Sequence, residues 1–576
     1  MVMAFRVLDY LWWRPKRVER YFAKQGIRGP PYRFFFGCVK EMVGLMLEAA
    51  SKPMVMPQNQ HNVLPRVLAF YSHWKKRYGA VNAWHDPMPL PFCSPFLLWF
   101  GPTPRLAIAD PDLIREILLS RSDVFERYES HSEVRRLEGE GLVSLRGEKW
   151  AHHRKVLTPS FHIENLKVGP SPSVAISIAV AFTLIHLKNR KTPATDSLHR
   201  QDGAQHGGEA ADLQRGGGDR RVGVVPDGDR GRHHSGRLRE KLRRRQGRVQ
   251  ATDATDGLRG RGFPQRIHPW LQNTNSWKLE KEMKRSLAEL IVQRRKRKEE
   301  DWEQPQGNVK DLLGLMIDAS ETKQSTAAGC PPPTGSPSAA SWMTVRDIVE
   351  ECKTFFFAGK QTTSNLLTWT TVLLAMHPEW QERARAEVLR VCGPRDVPSR
   401  EHLPKLKTVR FATSQNYRRP SNSRLMNSSS PSQLLMIIYE TLRLYPPAVA
   451  TIRQAKADVE LGGYRIPQGT ELLIPIMGLH HDAELWGPDV AQFNPERFAN
   501  GAARAARHPT AFIPFGLGPR MCIGQNLALL EAKITVAVLL QRFSIRLAPS
   551  YVHAPTVLLL LYPQFGAPVL FRPLTS

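Results

Sequence analysis

The stretch FGLGPRMCIG, Phe515 to Gly524, governs how the rest of this chain is read. It sets one cysteine, Cys522, in a loop carrying three glycines, Gly516, Gly518 and Gly524, with a helix expected straight after it. Glycine permits backbone conformations and close approaches that a side chain forbids. A helix N-terminus offers free N–H groups and a positive dipole end to a thiolate. Arg520 supplies a nearby cation, suited to a carboxylate of a bound cofactor, and Phe515 a ring to shield the sulfur. A lone cysteine is more often a buried structural side chain. The full F-x-x-G-x-R-x-C-x-G spacing, with the partners below, favours a thiolate that ligates a haem iron.

Working outward, Ile523 to Phe543 reads as a long apolar helix. Upstream, Thr344 and Asp347 form a capping-box start, and the helical pattern runs to His377, where Pro378 stops it. Such a helix spans about 50 Å. In its middle stands AGKQTT, Ala358 to Thr363. The small pair Ala358-Gly359 leaves room beside the helix, and Thr362 offers a hydroxyl, although small residues in a helix often serve packing alone. ETLR, Glu440 to Arg443, places an acid and a base one turn apart, which by itself is an ordinary surface pair. Trp150 and Arg154 lie four apart and share a helix face. The plainer reading of Arg154 is a solvated basic face with Lys155. His152 and His153 point different ways from one helix and are read as surface residues. Arg453 follows Pro446-Pro447, and PERF, Pro495 to Phe498, contributes Arg497. Short strands are expected at Leu97–Phe100, Arg105–Ala109 and within Val459–Pro475.

These motifs together resemble the cytochrome P-450 superfamily. The cysteine loop matches that family's haem-binding signature at every fixed position. The resemblance implies a mainly α fold with a minor β part, carrying haem b on Cys522. It implies oxygen activation at Ala358, Gly359, Gln361 and Thr362. The family usually has an acid before this threonine; an amide stands there in Gln361, so water is expected to carry the proton. Trp150, Arg154, Arg453 and Arg520 would clamp the haem carboxylates, with Phe515, Gly516 and Gly524 in the cofactor loop. Glu440, Arg443 and Arg497 would form a supporting network. Electrons would come from NADPH through a separate reductase, and dioxygen and a hydrophobic steroid-like molecule would be the substrates. The stretches LWWRPKRVERYF, RLEGEGLVSLRGEKWAHHRKVLTPSFH and FFFAGKQTTSNLLTWTTVLLAMHPEWQ look similar to plant enzymes that inactivate brassinosteroids by C-26 hydroxylation. Such enzymes sit on the cytosolic face of the endoplasmic reticulum membrane.

The 576 residues, 41% hydrophobic, exceed the usual single-core limit of roughly 250–300. Six scattered cysteines exclude a disulfide framework or zinc ribbon. Residues 1–30 read as a membrane-proximal segment. The run Met1 to Trp13 is too short and too charged to span a bilayer, so a truncated anchor is expected, although Trp12 and Trp13 beside Arg14, Lys16, Arg17 and Arg20 suit a membrane surface. An ordinary surface helix fits that run as well. Residues 31–167 form the first part of the enzyme body and 273–576 its haem-binding part. Between them, 168–272 is expected to be disordered: its first part, to about Lys191, is apolar without a helical face, and Gln201 to Gly262 is dense in Arg, Gly, Asp and Ala.

The net charge of +28 suits nucleic acid or anionic membrane. Three readings of 168–272 compete: a basic linker, an arginine-rich RNA-binding segment, and a stretch translated out of frame. We favour the last. Val81 to Pro95 and Val409 to Gln433 look equally foreign, and all three patches begin with valine, which a retained intron opening with GT encodes in phase. Without aromatics interleaved among the bases, no nucleic-acid partner is expected; binding that falls steeply with salt would show one. The family builds its distal roof where 168–272 stands, so the chain as written is expected to fold poorly with little activity. A haem binder without turnover is the other alternative.

Overall fold

Thr344 opens the longest helix of the enzyme body through a full capping box: its hydroxyl accepts from Asp347 N–H, and Asp347 accepts from Thr344 N–H at 2.9 Å. In this computed structural model, residues 2–52, 54, 59–79, 94–129, 132–162, 269–300, 312–321, 343–394, 398 and 432–574 are described. The segments 81–93, 168–268 and 409–431 lie outside them. The chain divides into two units, Met1–Lys191 with Gln306–Ser576, and Thr192–Pro305. The described part of the second is one charged helix, Pro269–Glu300, so regular structure resumes a few residues before the expected boundary at 272.

The first unit is mainly helical. Its helices relevant to the site are α1 (Gly147–Leu157), α2 (Val345–Met376), α3 (Pro378–Cys392), α4 (Gln433–Leu444) and α5 (Gln525–Arg542). In α4 every residue from Leu434 to Leu444 is buried, which explains a sequence apolar nearly all round. Helix α5 is buried from Ala532 to Gln541 and packs on α2, α3 and α4. Each aliphatic side chain so removed from water contributes roughly 1.5–3 kcal/mol.

The minor β part includes β1 (Phe96–Phe100), β2 (Thr103–Ala107), β3 (Phe125–Arg127), β4 (Thr451–Ala455), β5 (Val459–Leu461), β6 (Tyr464–Ile466) and β7 (Glu471–Ile474). Five of these form one sheet in the order β1-β2-β7-β4-β3. Strand β2 runs parallel to β7 and the other pairs are antiparallel. Gly101 turns β1 into β2 at φ +61°, and Gly462-Gly463 turn β5 into β6 at φ +55° and +80°. A short helix, Pro111–Arg115, is capped by Asp110, whose carboxylate accepts from Asp112 and Leu113 N–H.

Among the described residues, no helix is long and apolar enough to cross a membrane. The first turns, Val2–Leu8, Asp9–Trp13 and Arg14–Ala23, leave Phe5, Tyr10, Trp12 and Trp13 exposed.

Candidate active site

The cysteine loop is held by a short set of backbone bonds. Cys522 N–H donates to Phe515 O at 2.8 Å, Gly516 N–H to Ile513 O at 3.0 Å and Met521 N–H to Gly518 O at 3.0 Å. Gly518 sits at φ +75°, and a Cβ there would stand 2.0 Å from Leu118 O, so no other residue fits. Gly524 has an ordinary φ of −86° as the N-cap of α5. The unusual φ expected of it is absent, and a Cβ on it would lie 4.0 Å from Cys522 Sγ and from the Phe161 ring, ordinary contact, so protein packing alone does not require glycine there.

Cys522 is exposed to solvent yet densely surrounded by protein, the situation of a side chain on the floor of a recess. Burial pushes its thiol up, while the Gly524 N–H and the Arg154 cation pull it down. A coordinating metal ion would complete that balance, since it deprotonates a thiol outright.

Among the described residues, the arginines around this loop outnumber their counter-charges, with Glu138 near Arg127 and Glu126 near Arg520. Arg453 is pushed down to about 9, first by burial and then by Arg127 and Arg520. Arg520 is pushed down to about 10, by burial and then Arg127, against a smaller pull from Glu126, with Arg146 and Arg154 adding to the depression. Arg127 and Arg154 are also lowered by burial. Arg127 and Arg453 face one another directly in the β3–β4 register, and like charges directly opposite are destabilising. Among the described residues, Arg453 Nη1 donates to Thr451 Oγ1 and Ile452 O, at 2.9 and 3.0 Å, both uncharged. Arg520 stacks on Trp150, 4.3 Å from the ring centre, and donates to Leu145 O at 2.8 Å. Buried cations persist when anions pair with them. The two carboxylates of a haem meet that requirement, so these residues fit the cofactor.

On the other wall lies α2. Gly359 is exposed in mid-helix, and a Cβ on it would meet nothing within 4 Å. Ala358, Gln361 and Thr362 are half-buried. The Thr362 hydroxyl donates to Ala358 O at 2.6 Å. Phe161 joins the two walls: its ring stacks on Phe355 at 5.3 Å, three residues before Ala358, and its edge lies 4.0 Å from the Cβ position of Gly524.

Glu440, Arg443 and Arg497 come together away from the sulfur. Arg443 makes a two-pronged pair with Glu440 at 2.7 and 2.8 Å, both wholly buried, and Arg497 Nε stands 3.6 Å from Glu440. His480 connects this network to the cysteine loop. Its Nε2 accepts from Ile513 N–H at 3.2 Å and its Nδ1 lies 3.2 Å from Arg443 O. Only a neutral imidazole satisfies both contacts, and burial lowers His480 to about 3, aided by His481 and Arg443.

One expectation is overturned. His153 is not a surface residue: it is buried, with Nδ1 2.7 Å from Glu351 Oε1. Helix α1 presses this face on α2, which its neighbours Lys149 and Lys155 conceal in the sequence. His152 is half-buried. Sequence reasoning also missed Arg127, Arg146, His480 and Glu351. The acidic face Asp347, Glu350, Glu351 at the start of α2 was the available signal for the last.

A cysteine loop ringed by undercompensated arginines, on a mainly helical body, defines a haem-thiolate protein. The family model described as Cytochrome P450 matches residues 92–179, 263–412 and 433–561. The chain is 55% identical to Cytochrome P450 734A6 of Oryza sativa subsp. japonica, over 100% of this chain and 94% of that one. It is 49% identical to Cytochrome P450 734A1 of Arabidopsis thaliana, over 99% and 94%. Secologanin synthase 2 of Catharanthus roseus is similar at 34% identity, over 100% and 95%. The chain belongs to the cytochrome P450 family, and its class is that of a haem monooxygenase supplied with electrons by a reductase. The fold is also that of the cytochrome P450DA heme domain, with a TM-score of 0.58 at 21% identity, over 91% of this chain and 97% of that one.

Proposed function

We propose that this chain hydroxylates a brassinosteroid on its side chain, at C-26, inactivating the hormone at the cytosolic face of the endoplasmic reticulum membrane. The observation that carries the chemistry is Cys522 on the floor of a recess under the pull of the Arg154 cation, with Arg520 two residues before it in the loop and Arg127 and Arg453 crowding Arg520. The sequence resemblance at LWWRPKRVERYF and FFFAGKQTTSNLLTWTTVLLAMHPEWQ supports the steroid. The exposed Phe5, Trp12 and Trp13, with Arg14, Lys16 and Arg17 beside them, support a membrane surface.

Haem, when bound, supplies the activation of dioxygen and its insertion into an unactivated C–H bond. Cys522 would hold the iron, and Arg154, Arg453 and Arg520, with Trp150, would hold the carboxylates. Phe515, Gly516 and Gly524 shape the loop. Gly359 keeps the space beside α2 clear. The Thr362 hydroxyl, now spent on Ala358 O, is the group positioned to hold a proton there. Gln361 cannot release a proton as an acid does, so water relays it. Glu440, Arg443 and Arg497 support the pocket without touching the reaction.

The test is turnover of the purified full chain with NADPH–cytochrome P-450 reductase, NADPH and a brassinosteroid. The expected result is a product heavier by one oxygen; a product from an unrelated terpenoid but none from the steroid rejects the substrate. A second reading has its own observation. The matched family ranges omit 180–262 and 413–432, inside the two largest segments read as intron-derived or out of frame. Under it, the domain order is 31–167 and 273–576 around an aberrant insert, and the chain binds haem without NADPH-dependent turnover.

A further inference from the structure

Three successive backbone N–H groups ahead of α1 are accepted by side chains of α2. Glu140 N–H donates to Glu350 Oε2 at 3.0 Å, Gly141 N–H to Thr354 Oγ1 at 3.2 Å and Leu142 N–H to Glu351 Oε2 at 2.9 Å. The strap lies almost in contact with the helix. A Cβ on Gly139 would stand 2.7 Å from Glu350 O, and one on Gly141 2.6 Å from Glu351 Oε2. Glu351 uses its second oxygen on His153 Nδ1 at 2.7 Å, with side-chain exposures of 0% and 1%. His153 adjoins Arg154 on α1. Three residues past Leu142, Leu145 O accepts from Arg520.

We propose that Glu351 is a positioning residue for the haem: one carboxylate fixes α2 to α1 and to the strap, and so sets the width of the recess before the cofactor enters. Glu351 precedes Gly359 by eight residues, about 12 Å along the helix, and acts through His153 and Leu142 rather than by touching the cofactor. A buried carboxylate is costly to desolvate, and each of its two oxygens here is held by an element beside the recess, the strap and α1. Supports of this kind change cofactor affinity by about 10–100-fold when removed. The proposal rests on the assignment of Cys522 and the arginines above.

The test is the rate at which full-length holoprotein loses haem to excess apomyoglobin, with amide exchange of residues 139–146 measured alongside. Glu351→Ala is expected to lose haem at least about tenfold faster, with faster exchange confined to Glu140, Gly141 and Leu142. Glu351→Gln keeps an acceptor for Leu142 N–H and a donor for His153, and is expected to restore the wild-type rate within about threefold. Wild-type haem loss in Glu351→Ala, with the strap amides opened, overturns the proposal. If Glu351→Ala does not fold, His153→Phe cuts the bond to α1 alone, and unchanged haem loss there overturns it equally. The reduced, CO-bound spectrum separates the premises: a wild type lacking a thiolate band that Cys522→Ala abolishes refutes the ligand, whereas haem loss reads the clasp.

Discussion

His61 Nε2 and His377 Nε2 stand 3.2 Å apart with both rings buried. They are the middle of a longer chain. Tyr551 OH meets His553 Nδ1 at 2.8 Å, His553 Nε2 meets Tyr445 OH at 3.2 Å, and Tyr445 OH meets His61 Nδ1 at 2.8 Å. At the other end His377 Nδ1 faces Glu379 Oε1 at 3.4 Å. The carboxylate fixes the direction: His377 must present N–H to it, so its Nε2 accepts from His61. Every later link then follows with one proton per ring, Tyr445 donating to His61, His553 to Tyr445, and Tyr551 to His553. All three histidines are neutral in this count. The chain ties residue 61, the end of α2, the end of α4 and residues 551–553 together.

This chain makes the fold acid-labile. Burial lowers His61 well below its ordinary value, with His377 and His553 adding to it. Burial also lowers His377, and brings His553 to about 4. Unfolded histidine titrates near 6.5, so below that pH the unfolded chain binds protons that the folded one refuses. Stability is therefore fully present above about pH 6.5 and falls as pH drops toward 4. His553 alone accounts for about 2 kcal/mol between pH 6.5 and 5. Denaturant midpoints at pH 7 and 5 measure it, and equal midpoints reject the neutral chain.

Removing Glu440 strands the wholly buried Arg443. Glu440→Ala is expected to destabilise by about 3–5 kcal/mol, as breaking a buried pair does. The loop 480–494 would loosen with it, because Arg443 also donates to His480 O and Val490 O at 3.0 and 2.7 Å. A thermal midpoint within a degree or two of wild type would show that the network contributes nothing.

How much of this was legible beforehand depends on whether a role is local in sequence. The cysteine loop, the capping box at Thr344 and the strands within Val459–Pro475 are local patterns, and the structure has the box and the strands where the sequence puts them. In α4 the apolar run Leu434 to Tyr439 is local, but ETLR by itself reads as a surface pair, and the structure buries it. Glu351 and His153 are not local: they lie 198 residues apart, and each sits among charges that read as surface. The Arg127–Arg453 juxtaposition is likewise a product of strand register, which neither FERYES nor TIRQA carries alone.

That juxtaposition gives opposite signs with and without cofactor. Arg127→Met removes a like charge from Arg453 and is expected to stabilise the haem-free protein slightly. With haem bound, the Arg127 cation would add to the attraction that Arg453 and Arg520 exert on the carboxylates, and the same change is expected to weaken haem binding roughly tenfold. Thermal midpoints of the two forms, measured side by side, check the sign reversal. A variant that destabilises both forms equally would make Arg127 an ordinary packing residue.

Gly359 offers the sharpest separation of stability from function. A glycine inside a helix costs about 1 kcal/mol relative to alanine, and at this position a Cβ would meet nothing within 4 Å. Packing therefore gives no reason to keep glycine there. Gly359→Ala is expected to raise the unfolding free energy by about 1 kcal/mol, and Gly359→Val to remain folded. If the open space beside α2 is the oxygen and substrate side of the recess, both changes narrow it. Carbon monoxide binding to the reduced protein should then slow progressively from glycine to alanine to valine, while stability does not fall in step. Unchanged carbon monoxide binding in the valine variant would place that open space outside the site and leave the glycine without a functional reason.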